Sequence, residues 1–159
     1  MLGQKDKGED VPAPEPDRRM GGWDGIGFDA IEVGQAYEAY PLQIGAEDIA
    51  AFHGCLGEAL EQIGPGTRIP FFLLNELRAL KSRMRLPPGV LHAQEELQMK
   101  SAARLGEPLF THVRVADKFI RNGKRFVVVE QDVRAGADGQ ANNGGRGVLL
   151  VRHILYWPC

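Results

Sequence analysis

The second half of the chain most constrains its fold. From Leu109 onward, apolar and polar side chains alternate through "LFTHVRVADKFIR", "KRFVVVEQDVRA" and "VLLVRHILYWP". The first two runs are joined by Asn122-Gly123, the pair that two-residue hairpin turns favour because both positions need positive φ. A further run of extended character, residues 90 to 101, precedes them. Strands separated by short turns pair antiparallel. "GADGQANNGGRG" reads as a polar, flexible connection between the last two strands.

The first half has a different period. "GAEDIAAFHGCLGEAL" reads as a helix, with Glu47 and Asp48 in the first turn, where the helix dipole favours acid. Ile49, Phe52 and Leu56 fall on one face. A strand from about Tyr37 to Ile44 precedes it, and Gly64-Pro65-Gly66 marks a loop after it. "PFFLLNELRALKSRMRLPPG" is the strongest helical pattern. Pro70 suits a first helical position, Leu73, Leu77, Leu80 and Met84 repeat near 3.6, and Phe72 and Leu74 widen the stripe. Pro87-Pro88-Gly89 ends it. Strand, helix, helix and four strands make an α+β layout, with the long helix lying across an antiparallel sheet.

Residues 1–22 mix charge with Pro and Gly and carry too little apolar surface to offset their ordering entropy. They are expected to form a disordered tail, with one domain over 23–159. A formal net charge of −2 gives no reason to expect nucleic-acid binding. The chain has no apolar run long enough for a membrane span, and its first residues lack the apolar core of a signal peptide. Two cysteines, Cys55 and Cys159, are too few for a disulfide framework. A reducing, cytoplasmic location is the default expectation.

In the strand that opens the run, simple alternation puts His92, Gln94, Glu96 and Gln98 on one face. Leu91, Ala93, Glu95, Leu97 and Met99 take the other. Glu95 is then the one acid on an apolar face. It needs a partner, such as an Arg of a neighbouring strand or helix, or its pKa rises. His92 reads either as a solvent-facing sheet residue or as a polar contact at a dimer seam or substrate mouth. Glu76 borders the helix stripe, where it could activate water or simply pair with Arg78 or Lys81. Asn75 could hydrogen-bond a substrate carbonyl or face solvent. Arg68, Arg83 and Arg85 flank the helix ends, as phosphate forks or as ordinary surface arginines. The four histidines, His53, His92, His112 and His153, fall on four different elements and none shows metal-ligand spacing along the chain. No metal site is expected, and His53 reads as a surface or subunit-contact residue.

The layout resembles the hotdog fold, a curved antiparallel sheet wrapped around a long central helix. "FDAIEVGQAYEAYPLQIGAEDIAAFHGCLGE" is similar to the opening of the MaoC-like enoyl-CoA hydratase/dehydratase family. From "IPFFLLNELRAL" through "VVVEQDVR" the chain resembles the N-terminal dehydratase-like branch of that family, with Gly106-Glu107-Pro108 at the turn between the strands. The resemblance spans about residues 28 to 157. It implies an acyl thioester of coenzyme A or acyl carrier protein as substrate and no resident cofactor. Active members carry an Asp and a His a few residues apart between the two helices, for acid/base work on water and the thioester's α-carbon. Here that segment is "GEALEQIGPGTRIP", with neither residue. The branch commonly pairs with a second hotdog chain that has the dyad, so the resemblance implies a partner-dependent hydratase/dehydratase subunit. A hotdog acyl-CoA thioesterase using Glu76 or Glu95 as base, and a non-enzymatic acyl-thioester binding protein, are the alternatives. Sheet edges need covering, so a homodimer or heterodimer is expected.

Overall fold

The computed structural model describes residues 26–60, 62–75, 84, 86–136 and 145–158. The elements run in the order β1 (Tyr40–Leu42), α1 (Ala46–Cys55), α2 (Phe71–Leu74), β2 (Leu91–Met99), β3 (Leu109–Arg121), β4 (Lys124–Ala135) and β5 (Arg146–Trp157). The strands form one five-stranded sheet, ordered β1-β3-β4-β5-β2 and antiparallel throughout.

The β3–β4 hairpin forms as its turn sequence requires. Asn122 (φ 51°) and Gly123 (φ 71°) both take the left-handed conformation, closing Arg121 onto Lys124. α1 begins where its acids predict, with Asp48 Oδ2 accepting from the Gly45 N–H at 2.8 Å. It stops at Cys55, before Leu56, and Gly57 (φ 74°) turns the chain away. Leu56 is therefore exposed while Ile49 is fully buried. β1 is shorter than the strand expected over Tyr37 to Ile44.

Among the described residues the expected second helix is present as α2 over Phe71–Leu74, and Asn75 (φ −91°, ψ 77°) leaves the helical region. The periodicity could not show this, because an Asn interrupting the stripe fits either a solvent-facing helical position or a break. Residues 76–83 and 85 lie outside the described residues, and with them most of the expected central helix, Glu76, Arg83 and Arg85. The expected tail over residues 1–22 lies outside them too.

One face of the sheet carries the core. Inward positions alternate along β3 (Leu109, Thr111, Val113, Val115), β4 (Val127, Val129, Gln131, Val133, Ala135) and β5 (Leu149, Val151, His153, Leu155, Trp157), all of them buried. The core is divided into two apolar clusters. One joins Leu109, Val133, Leu149 and Val151 to Ile49, Ile69 and Leu74 from the helical side. The other joins Val113, Val129, Leu155 and Trp157 to Phe28, Ile31 and Met84. The opposite face is charged and paired in register. Arg114 bonds Glu130 at 2.8 Å, and Arg152 reaches Glu130 and Glu96, each at 3.4 Å. These form one row of alternating sign across β3, β4, β5 and β2.

A polar row across the core face: the candidate functional site

Between the two apolar clusters, each of β3, β4 and β5 places one polar residue inward: Thr111, Gln131 and His153, all fully buried. The inward neighbours of each, two residues away on its strand, are apolar and belong to one cluster or the other. Each costs desolvation, and together they fall on an oblique line that steps two residues from strand to strand, Gln131 lying opposite Val113 and Val151 and His153 opposite Val129.

β2 extends the row through a local irregularity. The β2–β5 register shifts between His92 and Gln94, so that His92 pairs with Leu155 and Glu95 with His153. Ala93 is the extra residue of a β-bulge. Without it, His92 and Glu95 would face opposite ways, as strict alternation predicts. With it, both lie on the side of the buried β5 residues. This corrects the expected separation of the two, and the cause is that single inserted residue.

The contacts follow from that placement. His153 Nδ1 stands 3.2 Å from His92 Nε2 and 3.7 Å from Glu95 Oε1. The two rings lie 5.2 Å apart between centroids. On its far side His153 Nε2 is 3.3 Å from Gln131 Oε1. The Asn75 amide donates to Glu95 Oε1. Burial, offset in part by Glu95, lowers the His153 pKa to about 4, so the ring is neutral near pH 7. A neutral ring with Nε2–H donating to Gln131 leaves the Nδ1 lone pair facing His92 and Glu95. Among the described residues, Asn75 Oδ1, Gln131 Nε2 and Thr111 Oγ1 are buried without a hydrogen-bond partner.

The sequence-based candidates fare unequally. Glu95, Asn75 and His92 come together. The arginine expected beside Glu95 is not its partner among the described residues: the β5 arginine, Arg152, points to the other face and pairs with Glu96 and Glu130. Arg68 lies exposed on the loop before α2, where its backbone bridges to Arg104, and makes no described contact with this group. His53 is held by Glu58 at 2.8 Å, away from the row. Gln131 and His153 were missed. Their signal is present in the sequence: each is a polar residue flanked at the inward phase by apolar residues on both sides, Val129 and Val133 for Gln131, Val151 and Leu155 for His153. Likewise, histidines on different elements do not exclude a cluster, since β2 and β5 bring His92 and His153 side by side.

An open cleft of about 590 Å³ lies elsewhere, at the start of α1, lined by Leu42, Ile44, Glu47, Asp48, Glu107 and Pro108. No residue of the polar row lines it.

No family model and no curated protein matches the chain. Solved structures do. An (R)-hydratase, PhaJ1 from Pseudomonas aeruginosa, superposes with a TM-score of 0.58 over 84% of this chain and 86% of its own, at 19% identity. A MaoC-like dehydratase from Rhodospirillum rubrum gives 0.60 over 84% and 97%, at 16% identity. The HadBC (3R)-hydroxyacyl-ACP dehydratase complex from Mycobacterium tuberculosis gives 0.51 over 78% and 96%, at 14% identity. This chain has the hotdog fold. The expectation of an α+β hotdog architecture therefore holds. Among the described residues no helix is long and apolar enough to cross a membrane.

Proposed function

We propose that this hotdog chain binds an acyl thioester and works as a partner-dependent subunit of an enoyl-thioester hydratase/dehydratase, with a second hotdog chain supplying the Asp–His pair. The observation that carries this reading is the connection between α1 and α2. It holds neither Asp nor His, so water activation at that place needs groups from elsewhere. The fold shared with hydratases and dehydratases supports the substrate class. The open edge of β2 supports the partnership: this outermost strand exposes Leu91, Leu97 and Met99 and leaves one side of its backbone unpaired within the sheet. The reaction is the reversible addition of water across a trans-2-enoyl thioester.

Affinity purification of the tagged chain from its native host, with mass identification of what accompanies it, tests this. Recovery of a stoichiometric hotdog chain bearing the dyad supports the reading. Recovery of this chain alone, as a homodimer, contradicts it.

One observation favours a second reading, hydrolysis of an acyl thioester. Glu95 accepts from the Asn75 amide and lies 3.7 Å from His153 Nδ1, which supports a role as base for water. A hydrolysis rate unchanged by Glu95→Gln removes it.

A further inference from the structure

The His92–Glu95–His153 group has a geometry that acid/base chemistry does not require. One ligand-capable atom from each residue lies within 4.8 Å of the other two. Two atoms bound to a tetrahedral zinc ion at about 2.0–2.1 Å stand about 3.3 Å apart. The two separations at His153 Nδ1, 3.2 Å to His92 Nε2 and 3.7 Å to Glu95 Oε1, bracket that value.

The surroundings match as well. A metal-ligating imidazole gives its other N–H to an acceptor that fixes ring and tautomer. His153 does this through Nε2 toward Gln131 Oε1. A ligating carboxylate is held in turn by a hydrogen bond, and Glu95 accepts one from Asn75. The oxygen of that same amide, Asn75 Oδ1, is buried with no partner among the described residues. His92 is exposed and can carry its proton on Nδ1, freeing Nε2. The bulge at Ala93 puts His92 and Glu95 on the same side as His153.

We propose that His92, Glu95 and His153 form a binding site for one divalent transition-metal ion of the zinc type, set on the core face of the sheet and open to solvent on the His92 side. Two imidazoles and one carboxylate suit such ions over magnesium or calcium, which take oxygen ligands. Three protein ligands leave a coordination position free for water or a carbonyl oxygen. The proposal is independent of the acyl-thioester reading, since binding is measured without substrate.

The test uses the full chain without a polyhistidine tag, stripped with chelator and titrated calorimetrically with Zn²⁺. Co²⁺ absorption serves as a second readout of geometry. One equivalent is expected to bind. His92→Ala and Glu95→Gln, which change residues outside the buried core, are each expected to weaken binding about tenfold or more. His53→Ala and Cys55→Ser, on the exposed end of α1, leave it unchanged. The proposal is overturned if the folded chain takes up no Zn²⁺ at micromolar concentration. It is equally overturned if uptake survives both His92→Ala and Glu95→Gln or follows the α1 variants instead.

Discussion

Glu95 lies opposite the buried His153 in the β2–β5 ladder, its Oε1 3.7 Å from the His153 Nδ1. A carboxylate beside a buried imidazole is an asymmetric pair, and here the ring resists its proton. Burial dominates the ring, and the carboxylate only partly offsets it.

That asymmetry makes stability depend on pH with a definite sign. The His153 pKa falls from 6.5 to about 4 on folding, so the unfolded chain binds more protons between those values. The contribution is fully present above pH 6.5 and is lost as pH falls toward 4. At one pKa unit per about 1.4 kcal/mol, its full size is about 3 kcal/mol. Urea unfolding at pH 7 and pH 5 is expected to show this decline. His153→Gln, if folded, flattens it, and an unchanged slope would assign the dependence to other groups.

Thr111 gives a prediction in the opposite direction. Its hydroxyl is buried, without a partner among the described residues, between the inward Leu109 and Val113 of β3. Thr111→Val keeps the branched shape and removes an unpaid desolvation, so it is expected to stabilise the fold by about 1 kcal/mol. A loss of that size instead would mean that the hydroxyl is engaged.

The β2 edge predicts association. Leu97 and Met99 are about two-fifths exposed on the strand at the sheet's margin. Light scattering is expected to give a mass above the 17.5 kDa of one chain. Leu97→Lys with Met99→Lys should return it to that value with circular dichroism unchanged. A wild-type monomer at micromolar concentration would count against the dimer.

The charged face gives a contrast in size. Glu130 serves both Arg114 and Arg152 and is largely buried beneath them. Glu130→Gln is expected to cost about 1–2 kcal/mol, more at low salt than at high. Arg114→Gln, at the exposed end of the row, costs less than about 1 kcal/mol. Equal costs would show that the row does not act as a network.

The strands and the hairpin were legible because period two and Asn122-Gly123 are local signals with direct mechanical meaning. α1 was legible from its acids and its apolar spacing. The end of α2 at Asn75 was not, since the apolar stripe of the sequence runs from Leu73 to Met84 without a stop signal there. The site was half legible. Glu95 stood out as an acid at an apolar phase, and Gln131 and His153 carry the same signal on β4 and β5. What joins them is not local: one bulged residue, Ala93, and the pairing of β2 with the last strand decide that His92, Glu95 and His153 meet.

The central claim, that this chain binds the thioester but needs a partner's Asp–His pair, is tested most directly by one assay. Hydration of a trans-2-enoyl-CoA is followed with the purified chain alone and then with the co-purifying hotdog chain added. The account predicts no turnover from this chain alone, and turnover when the two are combined that exceeds that of the partner by itself. Hydration by this chain alone, abolished by Glu95→Gln, would contradict it and place the catalytic base in the His92–Glu95–His153 group.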